Sequence, residues 1–170
     1  EVLKLDPARL WVTIHHSDEE AKRIWFDEIK ISPQRFSSCG DADNFWSMGA
    51  TGPCGPCSEI FYDHGDHLAG HLPGQPEGEG DRFVEIWNLV FMQYDQQPDG
   101  SRLSLPHPCI DTGMGLERLV AVLQGTYDNF ETDLFKPLRE ASADLTKTSI
   151  NGPHSASHKI ISDHLRAASF

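Results

Sequence analysis

The segment of this chain that is best suited to chemistry spans residues 109–119 and reads CIDTGMGLERL. Asp111 would end a strand, and Gly113 and Gly115 would form a tight turn. Arg118 would then lie in the first turn of a helix. Glycines allow a ligand to approach the backbone, and the start of a helix attracts phosphate. A plain strand–turn–helix connection with a surface arginine has the same spacing, so the pattern alone leaves both interpretations open.

Two common nucleotide-binding loops are excluded by this segment. A dinucleotide fingerprint needs a third glycine where position 118 is arginine, and a Walker loop needs a following Gly-Lys-Ser/Thr. Residues 111–118, DTGMGLER, instead resemble the third signature motif of class II aminoacyl-tRNA synthetases, in the form found in alanyl-tRNA synthetases. Four more stretches extend the resemblance over nearly the whole chain: 43–49 (DNFWSMG), 51–61 (TGPCGPCSEIF), 85–93 (EIWNLVFMQ) and 161–166 (ISDHLR).

The resemblance implies an α+β fold with an antiparallel active-site sheet flanked by helices, followed by the start of a helical region. It also implies a two-step reaction. L-Alanine attacks the α-phosphate of ATP to give alanyl-adenylate and pyrophosphate, and the alanyl group then passes to tRNA(Ala). Such chemistry needs positioning and charge neutralisation more than a side-chain nucleophile.

An amino-acid site follows from the resemblance, residue by residue. Trp46, Val90 and Gly113 would surround a small methyl pocket, and Asp111 would hold the α-ammonium group. Asn88 would line both the amino acid and the nucleotide. The sequence adds an argument for Asn88, since a polar amide among apolar neighbours on a central strand needs a partner if it is buried. Ordinary core packing is the alternative for Trp46.

The resemblance also implies a nucleotide site. Ile86 and Trp87 would line the nucleotide together with Asn88, and Gly115 would let the backbone approach it. Arg118 would stack its planar guanidinium on the adenine, which a lysine could not do. Arg118 and Asp111 are thus the expected catalytic residues. For Trp87, core packing explains the residue type nearly as well.

Magnesium would accompany ATP, and either Glu59 or Glu85 would coordinate it, since carboxylate oxygens and phosphates are its usual ligands. The sequence does not decide between the two.

A second constellation suggests zinc as an alternative cofactor. Cys54, Cys57, His64 and His67 offer two thiolates and two imidazoles, which suit a tetrahedral site. The gap between the pairs is shorter than in a zinc finger, and a short strand is predicted within it. A Gly-Pro-Cys loop beside the substrate and a histidine-bearing surface loop form the simpler interpretation.

The elements that must position these residues are read from hydrophobic patterning. Strands are predicted at 10–14, 59–62 and 82–94, the last in the middle of a sheet, with a turn at 97–100 leading into an antiparallel strand that ends near Ile110. Helices are predicted after a capping box formed by Ser17 and Glu20, from Leu116 to a C-cap at Gly125, over 132–145, and from Ser155. Residues 31–58 are predicted to be mostly loop, and 64–81 an exposed excursion.

Composition limits the possible functions. The net charge is −12, with 26 acidic against 14 basic residues, which argues against a nucleic-acid surface spread over the whole chain. No apolar run approaches the roughly 20 residues that cross a bilayer, so no membrane partner is expected. A cytoplasmic location is expected and an organellar one stays open. The segment 147–170 is locally basic, and the family resemblance implies that a helical tRNA-recognition region begins here, with His164 and Arg166 facing tRNA or the domain interface. An ordinary interdomain helix is the alternative.

The chain begins at Glu1 without a methionine and ends in a predicted helix, so we expect a piece of a longer polypeptide. Residues 1–145 would form the C-terminal half of the catalytic domain, and 146–170 a linker and the start of a helical tRNA-recognition region. The first two class II motifs would precede this piece, which alone would be inactive. A non-catalytic zinc or interaction module, and a free-standing paralogue that lost motifs, are the alternatives.

Overall fold

The computed structural model describes residues 2–75 and 80–169. It divides into two compact units, Glu1–Gly115 and Leu116–Phe170. The predicted boundary after residue 145 separates functional regions of the parent protein and does not refer to these compact units. It stays a prediction.

The first unit contains a six-stranded sheet within the described residues. Its strands are β1 Leu10–His15, β2 Phe36–Cys39, β3 Phe45–Ser47, β4 Gly52–Asp63, β5 Phe83–Gln96 and β6 Arg102–Gly113. The order along the sheet is β2-β1-β4-β5-β6, and β3 also pairs with β4. Every pair is antiparallel except the parallel pair β1–β2. Together with its helices, this sheet confirms the predicted α+β class.

The strongest strand predictions are confirmed. Strand β5 has a partner on both sides, as its two apolar faces predicted. The turn after it is closed by a hydrogen bond from the Gln97 amide to the Ser101 carbonyl (2.8 Å), and Gly100 adopts a positive φ of 86°. That conformation suits glycine, because other residues meet a steric penalty there.

The predicted loop over residues 31–58 is wrong in its second half, because β4 starts at Gly52. Its glycines and prolines are tolerated at an irregularity, where the register of β4 against β5 shifts between Cys54 and Cys57. Glycine is required at position 55, since a Cβ there would overlap the carbonyl oxygen of Phe91. The first half also contains β2, a short helix and β3 rather than continuous loop.

The first predicted helix exists, but its cap and its extent differ. Helix α1, Glu19–Arg23, is capped by Asp18, whose carboxylate accepts from the Ala21 amide (2.9 Å). The predicted Ser17–Glu20 capping box is therefore wrong by one residue. A π-helical turn, Ile24–Glu28, continues α1. Because the wider turn changes the helical phase, Ile29 at the end of this segment is 61% exposed.

The core of the first unit lies on one face of the sheet. Val12 and Ile14 of β1 pack with Ala21 of α1. Further residues packed against this cluster are Trp25, Ile31, Phe36, Ile60 and Phe91. Since side chains alternate along a strand, the neighbours of these residues point to the opposite face. That opposite face carries the candidate site.

The second unit is helical in its described part. It comprises α3 Leu116–Gln124, α4 Lys136–Thr146 and α5 Ser155–Ala168, with a short 3-10 turn at Asn129–Glu131. Gly125 ends α3 with a φ of 74°, as predicted. Helix α4 starts four residues later than predicted. In α3 the buried residues are Ala121 and Val122, whereas Leu116 and Leu123 are more than half exposed.

Two predictions concern exposed or apolar segments. The described part of 64–81, residues 64–75 and 80–81, contains no helix or strand, and most of it is exposed. The remaining four positions of that predicted excursion, 76–79, lie outside the described residues. None of the described helices is both long and apolar enough to cross a membrane.

Candidate active site

A cavity of about 180 Å³ opens on the sheet face opposite the core. It is lined by Trp46, Asn88, Val90, Asp111, Thr112 and Gly113. All five residues predicted to contact the amino acid are among these six. The volume is below the roughly 300–1,000 Å³ of pockets that take drug-sized ligands, so the cavity suits a smaller molecule.

Strand register explains why residues far apart in the sequence meet here. Asn88 of β5 lies opposite Gly113 of β6, and Val90 lies opposite Asp111. Paired residues project their side chains to the same face, so these positions form two adjacent rows. Trp46 reaches the same face from the short strand β3, which pairs with β4.

The polar groups of the cavity differ in how well they are paired. The Oδ1 atom of Asn88 is buried and has no hydrogen-bond partner within the described residues. Leaving such an acceptor unsatisfied costs about 1–3 kcal/mol. The carboxylate of Asp111 accepts from the Thr112 amide (2.8 Å), and Asp111 is exposed to the cavity mouth. A ligand that donates to Asn88 and carries a positive charge for Asp111 would complement this arrangement.

Gly113 determines how much room the cavity has. No atom of the described residues lies within 4 Å of the position where a Cβ would be, and its φ is outside the left-handed region. Glycine is thus required neither by the backbone nor by neighbours within the chain. The space next to Gly113 is part of the cavity itself.

A carboxylate lies in the adjoining row of the same face. Glu59 of β4 is opposite Asn88, and its Oε2 accepts from the Thr13 hydroxyl (3.3 Å). Burial, and then the charge of Glu85, raise the pKa of Glu59 to about 7. Two carboxylates that repel each other beside a cavity suit a divalent cation bound with phosphates. Glu59 and Glu85 thus fit the predicted magnesium, and the structure does not favour one over the other.

The predicted nucleotide residues are not all brought together. Ile86 is buried in β5. Trp87 lies opposite Ile60, a residue packed on the core, and its indole N–H donates to the Thr112 hydroxyl. The Trp87 side chain therefore lies on the sheet face opposite Asn88. Gly115 ends the first unit, and Arg118 lies in the first turn of α3 in the second.

Sequence reasoning missed a buried polar layer beneath the cavity. Thr13 and Asn44 are almost completely buried, and the Asn44 amide donates to the Thr13 hydroxyl (2.9 Å) and to the Cys57 carbonyl (3.2 Å). A signal existed in β1, where Trp11, Thr13 and His15 alternate with Val12 and Ile14. A threonine at a position facing away from the aliphatic core indicates a polar layer there.

The zinc hypothesis is not supported by the structure. Cys57 lies within β4, whereas His64 and His67 follow the end of that strand at Asp63. Seven residues of extended chain separate Cys57 from His64 by roughly 20 Å. Cys54 lies still farther along β4, so the four predicted ligands do not converge. Burial raises the pKa of the Cys57 thiol to about 12, which disfavours the thiolate that zinc requires. In residues 2–75 and 80–169 no group of three or more potential ligands is arranged to hold a metal.

The predicted tRNA-facing residues lie on α5. Arg166 forms an ion pair with Glu117 inside the second unit, and His164 is exposed. Their predicted contact with tRNA or a domain surface stays a prediction.

Comparison with known proteins assigns the chain to a family. Residues 1–170 match the family described as tRNA synthetases class II (A). The chain belongs to this family. Among curated class II relatives, the alanine–tRNA ligase of Sphingopyxis alaskensis is 60% identical over 166 residues, which is 98% of this chain and 19% of the relative. That of Halorhodospira halophila is 56% identical over 170 residues, 100% of this chain and 20% of the relative.

These class II relatives are much longer than the present chain. The alanine–tRNA ligase of Nitrosococcus oceani, 58% identical over 170 residues, is likewise covered for only 19% of its length. The chain thus spans about a fifth of the curated synthetases that it matches. The similarity to these relatives extends over almost the entire length of the chain, which confirms the family resemblance seen in the motifs.

Proposed function

We propose that this chain supplies part of the aminoacylation site of an alanine–tRNA ligase. The parent protein would join L-alanine to tRNA(Ala) with ATP, through alanyl-adenylate, releasing AMP and pyrophosphate. The observation that carries the proposal is the cavity of about 180 Å³. The five residues that the family resemblance assigned to the amino acid line it, although they come from three separate strands.

Amino-acid recognition follows from the chemistry of the cavity wall. The carboxylate of Asp111 would neutralise the α-ammonium group, and the unpartnered Oδ1 of Asn88 would accept a hydrogen bond from it. Trp46 and Val90 would contact the methyl group, and the space beside Gly113 would admit it. A larger side chain would meet these walls, whereas glycine and serine would be rejected only weakly by size.

Activation requires that the alanine carboxylate attack the α-phosphate of ATP. A bond forms between a carboxylate oxygen and phosphorus, and the bond from that phosphorus to the pyrophosphate oxygen breaks. Arg118 would stack on the adenine, and Gly115 would allow the backbone close to the nucleotide. Glu59 or Glu85 would hold Mg²⁺, which neutralises phosphate charge when bound. Ile86 would support this region from within β5.

Domain organisation, tRNA recognition and location concern the parent protein. Residues 1–145 would be part of the catalytic domain, and 146–170 would lead into a helical region for tRNA, with His164 and Arg166 near its surface. The curated relatives are bacterial, which supports a cytoplasmic location. The alternative of a non-catalytic zinc module has no assembled ligand set in its favour among the described residues.

The experiment that tests the proposal measures ligand binding by the chain itself. Its thermal stability would be followed with and without a non-hydrolysable alanyl-adenylate analogue, since a ligand that binds only the folded state raises the melting temperature. We expect a rise for the unaltered chain that Asn88→Ala and Arg118→Ala each reduce.

The matched control is a seryl- or leucyl-adenylate analogue. The leucyl compound should give a smaller shift, because its longer side chain would meet Trp46 and Val90 at the cavity wall. A folded chain that responds equally to alanyl and leucyl analogues would contradict the proposal. ATP–pyrophosphate exchange by the full-length protein, dependent on alanine, is the corresponding test of activity.

A further inference from the structure

The Trp46 wall of the cavity is carried by a short arm, residues 41–47, made of α2 (Asp41–Asn44) and β3 (Phe45–Ser47). Strand β3 pairs with β4 over three residues, with Trp46 opposite Gly55. A helix of one turn and a strand of three residues have little stability of their own. The position of Trp46 therefore depends on what fixes the arm to the sheet.

The inner end of the arm is held by Asn44, whose side chain is completely buried. Its amide nitrogen donates to the Thr13 hydroxyl on β1 (2.9 Å) and to the Cys57 carbonyl on β4 (3.2 Å). Cys57 lies opposite Val90, which lines the cavity next to Trp46. The side-chain amide of Asn44, two positions before Trp46, thus attaches the arm to β1 and β4.

The outer end of the arm is held by charge. The Asp41 carboxylate pairs with His15 Nε2 (2.9 Å) and with Arg102 Nη2 (3.3 Å). The Arg102 guanidinium also lies over the Phe45 ring, 4.0 Å from its centroid. The side chains of Arg102 and Asp41 are both exposed, and ion pairs between exposed groups contribute little to stability. The buried Asn44 contacts are the stronger constraint on Trp46.

We propose that Asn44 is a positioning residue for amino-acid selection. By holding the arm against β1 and β4, it keeps Trp46 at the distance from Val90 and Gly113 that fits a methyl group and disfavours a larger side chain. This inference rests on the proposed function. It goes beyond it by assigning selectivity to a side chain that does not touch the cavity.

The test uses alanine- and serine-dependent ATP–pyrophosphate exchange by the full-length protein that contains this chain. Asn44→Asp keeps the size of the side chain but turns a donor into an acceptor facing the Cys57 carbonyl. We expect the KM for alanine to rise about tenfold, the KM for ATP to stay within about twofold, and the preference for alanine over serine to fall about tenfold.

A second pair of variants keeps the test decisive if Asn44→Asp does not fold. Thr13→Val removes the hydroxyl that accepts from Asn44 at nearly constant volume, and Thr13→Ser keeps it. We expect Thr13→Val to reproduce the loss of alanine preference and Thr13→Ser to retain the wild-type preference. Ile14→Val, on the opposite face of β1, is the control for general destabilisation and should leave the preference unchanged.

Three outcomes would overturn the inference. They are an unchanged alanine-to-serine ratio in folded Asn44→Asp, equal behaviour of Thr13→Val and Thr13→Ser, and a rise confined to the KM for ATP. The last would assign the network to Glu59, which also accepts from Thr13. Absence of alanine-dependent exchange in the wild-type protein would instead refute the proposed function, so the two failures are distinguishable.

Discussion

At the scale of single residues, Gly113 is a position where folding of the chain tolerates a larger side chain but binding of the proposed amino acid does not. A methyl group added there meets no atom of residues 2–75 and 80–169 and no backbone strain. The same methyl group would occupy the space that the proposed function gives to the side chain of alanine. Folding and substrate binding are therefore separable at this position.

We expect Gly113→Ala to leave the melting temperature of the chain within a few degrees of wild type. In the full-length protein it should raise the KM for alanine by roughly 10- to 100-fold, because one added methyl group in a filled pocket costs about 1–3 kcal/mol. Glycine, which lacks the methyl group, should be affected much less. Exchange kinetics with both amino acids check this, and an equal effect on both would contradict the assigned pocket.

Glu59 provides a second prediction at this scale, on the pH dependence of stability. Its pKa is raised to about 7 in the folded chain from 4.5. The folded state thus binds a proton that the unfolded state has released, so rising pH between about 5 and 8 destabilises the fold through this group. Glu59→Gln removes that penalty, which is on the order of 2 kcal/mol.

Denaturant unfolding at pH 5 and pH 8 checks the prediction. Glu59→Gln should gain stability relative to wild type as the pH rises. Glu19→Gln, at a largely exposed carboxylate, is the control for the loss of one negative charge. A constant difference between Glu59→Gln and wild type over this range would mean that Glu59 is not held in the environment described here.

At the scale of elements, alternation and turn chemistry were sufficient for β1, β5, the 97–100 turn and α5, because each is specified by its own residues. The first part of β4, residues 52–58, was not predictable in this way, although its later part was predicted as the strand 59–62. Its GPCGPC sequence favours loop locally, and it is extended because β1, β3 and β5 pair with it. Nonlocal pairing overrides local propensity in such a strand.

The candidate site also has a part that the sequence predicted and a part that it did not. The family resemblance named Trp46, Asn88, Val90, Asp111 and Gly113, which the sheet brings together. The zinc hypothesis is not supported because the strand predicted at 59–62 is part of the longer β4, Gly52–Asp63, which separates the cysteines from the histidines. The π-helical turn after α1 and the Asn44 network also escaped prediction, since both depend on contacts between distant segments rather than on local periodicity.

Asp63 ends β4 and holds the segment that follows it. Its buried carboxylate accepts from Arg82 (2.8 and 3.1 Å), from Arg35 (3.1 Å) and from the Gly65 amide (2.9 Å). These donors, Arg82 first, lower the pKa of Asp63 to about 2. A lowered pKa contributes stability above about pH 4, and this contribution is lost as the pH falls towards 2.

We expect Asp63→Asn to destabilise the chain by about 2–3 kcal/mol at pH 7, since it leaves two arginines without their anion. The difference from wild type should shrink between pH 4 and pH 2, where Asp63 itself becomes protonated. Denaturant titrations across this range measure it. Asp99→Asn, at an exposed turn, is the comparison, and an Asp63 effect no larger than that of Asp99→Asn would contradict the assigned contacts.

At the scale of the whole molecule, the proposed substrate contacts are distributed between two compact units. The five residues assigned to alanine belong to the sheet unit, which ends at Gly115, whereas Arg118 begins the helical unit. The proposed amino-acid contacts and the proposed nucleotide contact are thus only a few residues apart along the motif 111–118. If this division is functional, substitutions on its two sides should affect different substrates.

The final prediction compares the two sides in ATP–pyrophosphate exchange by the full-length protein. Arg118→Ala should raise the KM for ATP by roughly tenfold, the scale of a lost stacking and cation–π contact, and leave the KM for alanine within about twofold. Arg118→Lys should resemble Arg118→Ala, because lysine keeps the charge but not the planar group. Lys136→Ala, at an exposed residue of α4, controls for loss of a positive charge in the helical unit. Full activity in Arg118→Lys would show that charge alone acts there, and an equal rise in both KM values would mean that Arg118 supports the whole site instead of the adenine.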